Sequence, residues 1–371
     1  MEYRVYGKTG KEVSVLSFGA MRLPGDDDEA VAIMQRGLDL GINMIDTALV
    51  YGPDARSEIM VGRAIKGRRE STFISTKNPL YEHTGAGWRE RLETELTNLD
   101  TDYIDFYALI HDVRLDGYNE HFKNPGQGLE EAIKARDEGL IRHFTFSTHE
   151  SPENVHKLID LGIWEGMIIQ YNLLDRQYEE CIAHAFESGL GVQAMGPVAG
   201  GRLGMVSDRL RNTIAGTAST PELALRWVIS NPAVCTAMSG MSTMEQVEEN
   251  CAVANNKGPL NAAEQVAVAE LLEENQKLID LYCTGCNYCM PCPQGVGIPQ
   301  VLGALIVEKV WGLTDMAKHH YGHIVRGEAK FQEEVVLAAD ACIECGLCEP
   351  KCPQKLSIME QLKEACELLG S

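Results

Sequence analysis

Eight cysteines near the C-terminus are the residues whose spacing most directly predicts chemistry. They form two groups of four, each followed by proline: Cys283, Cys286, Cys289 and Cys292, then Cys342, Cys345, Cys348 and Cys352. The second group has the spacing C-x2-C-x2-C-x3-C-P, and the first is one residue shorter before its last cysteine. In such a run, three close thiolates bind three corners of a [4Fe–4S] cube and the fourth cysteine binds the other cube. We therefore predict two [4Fe–4S] clusters, and with them electron transfer or at least an iron–sulfur fold.

The crossed arrangement also predicts which cysteines share a cluster. We assign one cluster to Cys283, Cys286, Cys289 and Cys352, and the other to Cys342, Cys345, Cys348 and Cys292. Two other interpretations fit less well. A disulfide framework suits a small secreted domain, whereas this chain has 371 residues and opens without the apolar segment of a signal peptide. Zinc takes pairs of cysteines more often than two runs of four.

Composition excludes several classes of partner. The formal net charge is −21, which disfavours binding to nucleic acids or anionic membranes. Apolar residues make up 44% of the chain, which is enough for a large core, yet we find no apolar stretch long enough to span a bilayer. Together with thiolate-ligated clusters, these features lead us to expect a protein of a reducing cytoplasm.

The first 275 residues alternate short apolar runs with amphipathic stretches. Eight strands that alternate with helices at about 30-residue spacing favour a parallel sheet closed as a (β/α)8 TIM barrel. A doubly wound sheet would be expected to carry a G-x-G-x-x-G turn after its first strand, and this turn is missing from the sequence. The predicted strands are Val13–Phe18, Met44–Asp46, Thr72–Thr76, Tyr103–Ile110, His143–Ser147, Gly166–Gln170, Gly191–Met195 and Cys235–Met238. The predicted helices are Glu29–Leu40, Ser57–Lys66, Trp88–Leu99, Gly128–Glu138, Glu153–Leu161, Glu179–Ser188, Pro221–Ser230, Ser242–Asn250 and Asn261–Asp280.

Four polar residues fall where a barrel places its chemistry, at the carboxyl ends of strands. Asp46 ends the second predicted strand, Lys77 follows the third and His111 follows the fourth. Tyr51 lies in the loop after the second strand, five residues past Asp46. A single strand-end lysine or histidine is usually solvated or structural. Four complementary groups at three successive strands instead predict an active site.

These residues resemble those of the aldo-keto reductase superfamily. The segments Glu2–Gly10 and Gly19–Pro24 are similar to its N-terminal hairpin and first strand, and Gln170–Asn172, Leu223–Val228 and Gln246–Asn250 are similar to later segments. The cysteine-rich tail resembles the branch that carries a ferredoxin-like domain. The resemblance implies a (β/α)8 barrel over residues 1–275 and a small, mostly α-helical ferredoxin-like 2[4Fe–4S] domain over residues 276–371.

The family's catalytic tetrad maps onto Asp46, Tyr51, Lys77 and His111. A free phenol has a pKa of about 10 and is a poor acid near neutrality, but a neighbouring lysine cation favours its ionised form. Asp46 can keep Lys77 charged and oriented, and His111 can donate a hydrogen bond to a substrate carbonyl. The expected reaction is hydride transfer from a reduced nicotinamide to an aldehyde or ketone while Tyr51 supplies the proton, or the reverse oxidation of an alcohol.

The same resemblance implies a nucleotide site of eight residues. The cofactor-binding candidates are Ser147, Thr148, Gln170, Met195, Arg202, Ser239, Gln246 and Asn250. Ser147 and Gln170 would bind the nicotinamide carboxamide, Thr148 stands where the family often has asparagine, and Met195 where it often has tyrosine. Gly240 and Gln246 stand where members that prefer NADP commonly carry basic residues. The sequence therefore leaves open whether the cofactor is NADP or NAD.

Three hypotheses of different kinds remain. In the first, the chain is an NAD(P)-dependent carbonyl reductase whose clusters are structural or accessory. In the second, the clusters exchange single electrons with a partner protein or a bound flavin. In the third, the chain is a sensor without catalysis, which the intact tetrad disfavours. The substrate is expected to be a small carbonyl compound or alcohol, and Arg114 in the loop after the fourth strand leaves an anionic group on it open.

Overall fold

The computed structural model describes residues 1–79, 84–204, 207–279, 283, 287–352 and 354–370. At positions 202, 211 and 276–279 only the backbone is described. Contacts divide the chain into two compact units, one formed by residues 1–200 and 224–260 and the other by residues 201–223 and 261–371.

The first unit is a closed barrel of eight parallel strands. In spatial order, β10 pairs with β3 and with β9, and the other strands follow the order of the chain. The strands are β3 (Leu16–Gly19), β4 (Met44–Asp46), β5 (Phe73–Lys77), β6 (Ile104–Ala108), β7 (Ile141–Ser147), β8 (Gly166–Gln170), β9 (Gly191–Met195) and β10 (Thr236–Gly240). The predicted (β/α)8 barrel is confirmed.

A hairpin of β1 (Tyr3–Val5) and β2 (Glu12–Ser14) precedes the barrel. The predicted strand Val13–Phe18 is therefore wrong as one element, because the chain leaves the hairpin at Ser14 and enters the barrel at Leu16. Between them, the Val15 N–H donates to the Glu2 carbonyl at 2.9 Å. An alternating apolar run could not distinguish one long strand from two strands in different sheets.

Tyr6 of this hairpin region is fully buried among residues of the barrel strands. Its hydroxyl accepts a hydrogen bond from Gln193 Nε2 at 2.9 Å. A Cβ atom at Gly166 or Gly191 would lie 2.2 Å or 2.3 Å from atoms of the Tyr6 ring. Both strands therefore begin with glycine because this aromatic side chain fills the space beside them.

Helices follow the barrel strands, and their buried positions recur at helical spacing. In α1 (Asp27–Asp39), the buried residues are Ala30, Ile33, Met34 and Gly37, and the Asp26 side chain caps the helix by accepting from the Glu29 N–H. The sequence did not predict α4 or α8, which are short. The other helices of the region are α2 (Arg56–Ala64), α3 (Gly85–Asn98), α4 (Leu115–His121), α5 (Gly128–Asp137), α6 (Pro152–Ile159), α7 (Glu179–Glu187), α8 (Asp208–Arg211), α9 (Thr220–Ser230) and α10 (Met244–Ala252).

The second unit is mostly α-helical, as predicted. It contains α11 (Ala262–Ile279), α12 (Ile298–Trp311), α13 (Thr314–Val325), a hairpin of β11 (Lys330–Phe331) and β12 (Glu334–Val335), and α14 (Ile358–Leu369). Its core includes Ile298, Leu305, Tyr321 and Leu362. Segment 201–223 belongs to this unit through contacts such as the hydrogen bond from Ser207 Oγ to the Trp311 carbonyl at 2.7 Å. Within the described ranges, the helices lack the combination of length and apolar character that crossing a bilayer requires.

Candidate active site and cysteine cavities

Asp46 and Lys77 form a buried ion pair at the carboxyl ends of adjacent strands. They are the last residues of β4 and β5. Lys77 Nζ lies 2.5 Å from Asp46 Oδ1 and 2.7 Å from the Thr47 carbonyl, and Ser75 Oγ donates to Asp46 Oδ2 at 2.7 Å. The relative exposures of Asp46 and Lys77 are 1% and 2%. Bonds to both carboxylate oxygens fix the orientation of Asp46.

The electrostatics of this pair favour a charged lysine. Burial lowers the pKa of Lys77, but the neighbouring Asp46 and Tyr51 outweigh this effect, so that the pKa of Lys77 lies above its ordinary value. Burial also disfavours the charged form of Asp46. It raises the pKa of this carboxyl above its ordinary value, although the Lys77 ammonium and the Ser75 hydroxyl act in the opposite direction. Lys77 therefore presents a positive charge inside the barrel mouth.

Tyr51 and His111 lie next to this charge. Lys77 Nζ is 5.0 Å from the centroid of the Tyr51 ring. The rings of Tyr51 and His111 are 5.9 Å apart between centroids and nearly perpendicular, at 83°. The structure thus brings together the four residues that the sequence proposed as a tetrad, although they come from three strand ends.

His111 occupies a site that keeps its imidazole neutral. Burial, with the Lys77 charge adding to it, lowers the pKa of His111 to about 4. The backbone N–H of His111 donates to the Asn78 carbonyl at 2.8 Å, which ties the loop after β6 to the end of β5. A neutral imidazole retains one N–H donor, so His111 can donate a hydrogen bond without carrying a charge.

The loop that carries His111 is also bonded to the loop after β7. Asp112 adopts a left-handed conformation with φ 53°. Its N–H donates to Ser147 Oγ at 3.1 Å, and its Oδ1 accepts from the His149 N–H at 2.8 Å. Arg114 Nη2 lies 2.9 Å from Asp112 Oδ2. Arg114 therefore has a carboxylate partner already, which weakens its candidacy as a substrate anion site.

The four candidates for the nicotinamide lie at or just beyond three neighbouring strand ends. Ser147, Gln170 and Met195 are the last residues of β7, β8 and β9. A Cβ atom on Gly196 would lie 2.7 Å from Gln170 Oε1, so glycine leaves room for this amide. The hydroxyl of Thr148 donates to the Val113 carbonyl at 2.7 Å and accepts from the Glu150 N–H at 3.0 Å. Thr148 therefore holds loops together, a role that the sequence did not predict.

The candidates for the adenosine end lie around β10 and α10. Asn250 Nδ2 donates to Ser239 Oγ at 3.2 Å, and Gln246 Oε1 accepts from the Ser242 N–H at 2.8 Å. Arg202 belongs to the second compact unit, and its side chain lies outside the described residues. Arg22, which was not among the candidates, donates through Nη1 to the Gly200 carbonyl at 2.5 Å. The sequence could have indicated Arg22 by its position, since it lies three residues after the end of the first barrel strand, at the edge where a barrel binds its ligands.

Beside the tetrad, a pair of buried carboxyl groups lies between the barrel wall and its helices. Glu58 accepts from Thr76 Oγ1 at 2.8 Å and from Asn98 Nδ2 at 3.0 Å. Glu95 is fully buried. Burial raises the pKa of Glu95 well above its ordinary value, and the nearby Glu58 carboxyl adds to the rise. Glu95 is therefore protonated in the folded chain over a pH range in which it ionises in the unfolded chain.

We expect Glu95→Gln to stabilise the protein increasingly as the pH rises. A raised folded-state pKa gives stability that is fully present below the unfolded pKa and is lost as the pH rises towards the folded pKa. Glutamine removes this loss, so the difference in unfolding free energy should grow above pH 4.5, by at most about 1.4 kcal/mol per pH unit. Urea unfolding of both proteins between pH 5 and pH 8 measures it. The exposed Glu93→Gln serves as the control, and a pH-independent difference would contradict the assignment of a neutral Glu95.

The cysteines of the second unit line two cavities. One is lined by Cys292, Cys342, Cys345 and Cys348 together with Cys289, and the other by Cys283, Cys289 and Cys352. Ile298 also lines both cavities, so the two are adjacent. Cys286 lies outside the described residues. The last cysteine of each run thus lines the cavity of the other run, and thiols around an apolar cavity are the donor set that iron–sulfur clusters take.

Comparison with known proteins identifies both parts of the chain. The profile of the aldo/keto reductase family matches residues 15–273. The chain belongs to the aldo/keto reductase family. A 4Fe-4S dicluster domain matches residues 282–357. The chain is thus an oxidoreductase of this family with a C-terminal 4Fe-4S dicluster domain, and the predicted resemblance is confirmed.

Relatives from several bacteria support this assignment. The oxidoreductase YqkF of Bacillus subtilis is 29% identical over 293 residues, which cover 69% of this chain and 92% of the relative. The methylglyoxal reductase YeaE of Escherichia coli is 29% identical over 235 residues, covering 60% and 78%. The aldo-keto reductase AKR11C1 of Bacillus halodurans in its holo form is similar in structure, with a TM-score of 0.65, 30% identity, and coverage of 73% of this chain and 96% of that protein.

Proposed function

We propose that this protein reduces a small aldehyde or ketone with a nicotinamide nucleotide, with Tyr51 as the proton donor. The observation that carries the proposal is the buried Asp46–Lys77 pair, whose ammonium lies 5.0 Å from the ring centroid of Tyr51. A lysine is almost never fully buried unless it is paired, and here the paired charge lies beside a phenol that can transfer a proton.

Each residue of the tetrad has a distinct task in this reaction. The neutral imidazole of His111, whose backbone is bonded to Asn78, donates a hydrogen bond to the carbonyl oxygen and so orients it. The positive charge of Lys77 stabilises negative charge on the Tyr51 oxygen as the proton leaves it. Asp46 keeps Lys77 charged and in place through its two fixed oxygens. A bound reduced nicotinamide would supply the hydride.

The nucleotide would lie along the carboxyl ends of the later strands. Ser147 and Gln170 offer polar groups for a carboxamide, and the Met195 side chain offers an apolar contact for a ring. Ser239 and Asn250 lie where the adenosine is expected, and Gln246 supplies no charge there. Since Gln246 supplies no charge and the Arg202 side chain lies outside the described residues, NAD and NADP are both candidate cofactors, to be distinguished by assay.

The cysteine cavities support two [4Fe–4S] clusters with crossed ligands. Cys292 would complete the cluster of the second run and Cys352 that of the first. Cys345 is exposed, and the cavity wall beside it is formed by Ile343 and Leu347, with exposures of 64% and 55%. This exposed face favours a second candidate function, in which single electrons enter or leave through the clusters by way of a partner protein or a flavin.

Anaerobic turnover assays with Tyr51→Phe test the proposal. We expect the cluster-loaded protein to oxidise NADH or NADPH in the presence of small aldehydes, and Tyr51→Phe to lower kcat by about 10²–10⁴-fold, since that is the usual contribution of a positioned acid. The fold should persist, because phenylalanine keeps the ring. Tyr3→Phe, at an exposed tyrosine of the hairpin, is the control.

Two outcomes would overturn the proposal. Nicotinamide oxidation that continues unchanged in Tyr51→Phe would remove this residue from the reaction. The absence of turnover with either nucleotide, together with activity from a low-potential one-electron donor such as reduced methyl viologen, would favour the electron-transfer function instead.

A further inference from the structure

Helix α13 carries two histidines whose ring nitrogens face each other. His319 and His323 are four residues apart, which places them on one face of the helix. Their Nε2 atoms are 3.0 Å apart, and the two rings are nearly perpendicular, at 86°. Neither histidine takes part in the proposed reductase site or in the two cysteine cavities.

The distance between the two nitrogens fits adjacent positions on one metal ion. Bonds of about 2.0–2.1 Å from a divalent metal to imidazole nitrogens separate two nitrogens by about 2.9 Å at a 90° angle and by about 3.3 Å at the tetrahedral angle. The observed 3.0 Å lies in this range. In the absence of metal, one ring donates its Nε2 proton to the other, so binding requires that the donating ring adopt its other tautomer, with the proton on Nδ1 and the lone pair on Nε2.

A carboxylate prepares one of the two rings for coordination. Glu328 contacts the Nδ1 atom of His323 and is itself held by Arg326, whose Nε and Nη2 donate to it at 2.9 Å and 3.1 Å. When Nδ1 carries the proton of a neutral imidazole, the lone pair lies on Nε2. Carboxylate partners of this kind fix the tautomer of metal-binding histidines and increase their basicity.

From this arrangement we propose that His319 and His323 bind a divalent transition-metal ion, such as Zn²⁺, at a site separate from the iron–sulfur cysteines. Imidazole suits zinc, copper, iron and nickel. At this site the two imidazoles supply two ligands, and water completes the coordination. A metal ion and water can reach the rings from solvent, because His319 is exposed and the His323 side chain is 44% exposed.

The metal would connect two turns of α13 and, through Glu328, the loop that follows the helix. Helix α13 packs on α12 and α14, whose residues Ile298, Leu302, Ile358 and Leu362 line the cysteine cavities. A ligand that binds only the folded form stabilises it by mass action. Metal occupancy should therefore stabilise the folded form of this unit.

The test measures Zn²⁺ binding to the cluster-loaded protein under anaerobic conditions, by competition with a chromophoric zinc chelator. We expect His319→Ala and His323→Ala each to weaken binding more than 10-fold, and Glu328→Gln to weaken it by about 10-fold as an outer partner. His320→Ala removes an imidazole from a neighbouring face of the same helix and should leave the affinity unchanged. Cluster absorbance near 400 nm, recorded in parallel, shows that the cysteines still hold iron.

Two results would overturn the proposal. Binding that survives in the double variant His319→Ala/His323→Ala would place the zinc elsewhere. Equal weakening by His320→Ala would indicate unspecific binding to histidines. Because the readout is zinc affinity, the result is independent of whether the barrel reduces carbonyl compounds.

Discussion

Lys77→Met is expected to destabilise the barrel by about 3–5 kcal/mol, because it leaves Asp46 in the interior without its counter-ion. The Asp46 carboxylate is 1% exposed, and after the substitution its Oδ1 has lost the ammonium 2.5 Å away. Methionine has a similar length to lysine, so the loss reflects charge rather than a cavity. Urea unfolding followed by far-UV circular dichroism measures the difference.

The companion variant Asp46→Asn identifies the cause of this loss. In the double variant Lys77→Met/Asp46→Asn, neither residue of the pair carries a charge, and we expect most of the lost stability to return. As a control, Arg63→Met removes a surface pair with Asp28, whose side chain is 89% exposed, and should cost less than about 1 kcal/mol. If the double variant were as unstable as the sum of the single variants, the pair would not be coupled.

Carbonyl reduction and the free energy of unfolding should respond differently in Lys77→Met and in the double variant. The double variant regains its fold but has no cation beside Tyr51, so carbonyl reduction should stay as low as in Lys77→Met. This separation matters because a purely structural ion pair would restore both properties together. Recovery of turnover in the double variant would show that Lys77 acts only as a support for the fold.

The barrel and the proximity of the four candidate residues were predictable, because both follow from the order of strands and helices along the chain. Parallel strands place their carboxyl ends at one edge, so Asp46 and Lys77, at the ends of successive strands, must be neighbours. In the structure Lys77 Nζ contacts Asp46 Oδ1 directly, and the catalytic roles of the four residues stay predictions. The boundary between hairpin and barrel could not be read in the same way, since Val13–Phe18 alternates like one strand.

Other features depend on contacts that are distant along the chain. Thr148 resembles a substituted cofactor ligand in the sequence, yet its hydroxyl bonds the Val113 carbonyl of another loop. Segment 201–223 lies between two barrel strands in the sequence but groups with the second compact unit. No local pattern marks either fact, because each depends on which surfaces meet after folding.

The cysteine cavities lead to the second large expected effect, the loss of one cluster at a time. We expect each run to supply three ligands to one cluster and its last cysteine to the other, in agreement with the positions of Cys292 and Cys352 in the walls of the two cavities. Cys292→Ala should therefore lower the iron content from about eight atoms per chain to about four, because it removes a ligand of the cluster held by the second run. Cys352→Ala should have the same effect on the other cluster. Iron and sulfide analysis after anaerobic purification measures both.

Double variants distinguish crossed from uncrossed ligation. If Cys292 and Cys345 bind the same cluster, Cys292→Ala/Cys345→Ala should keep the other cluster and retain about four iron atoms. If each run bound its own cluster, the same double variant would damage both and leave almost no iron. Cys345 is suited to this test because it is exposed, so alanine there leaves the core of the unit intact.

Cys292→Ala/Cys352→Ala should lose both clusters under either arrangement, which shows that the assay detects complete loss. The buried Cys251, which lies in the barrel, should tolerate serine with both clusters retained, so a fall in iron there would point to general instability rather than ligation.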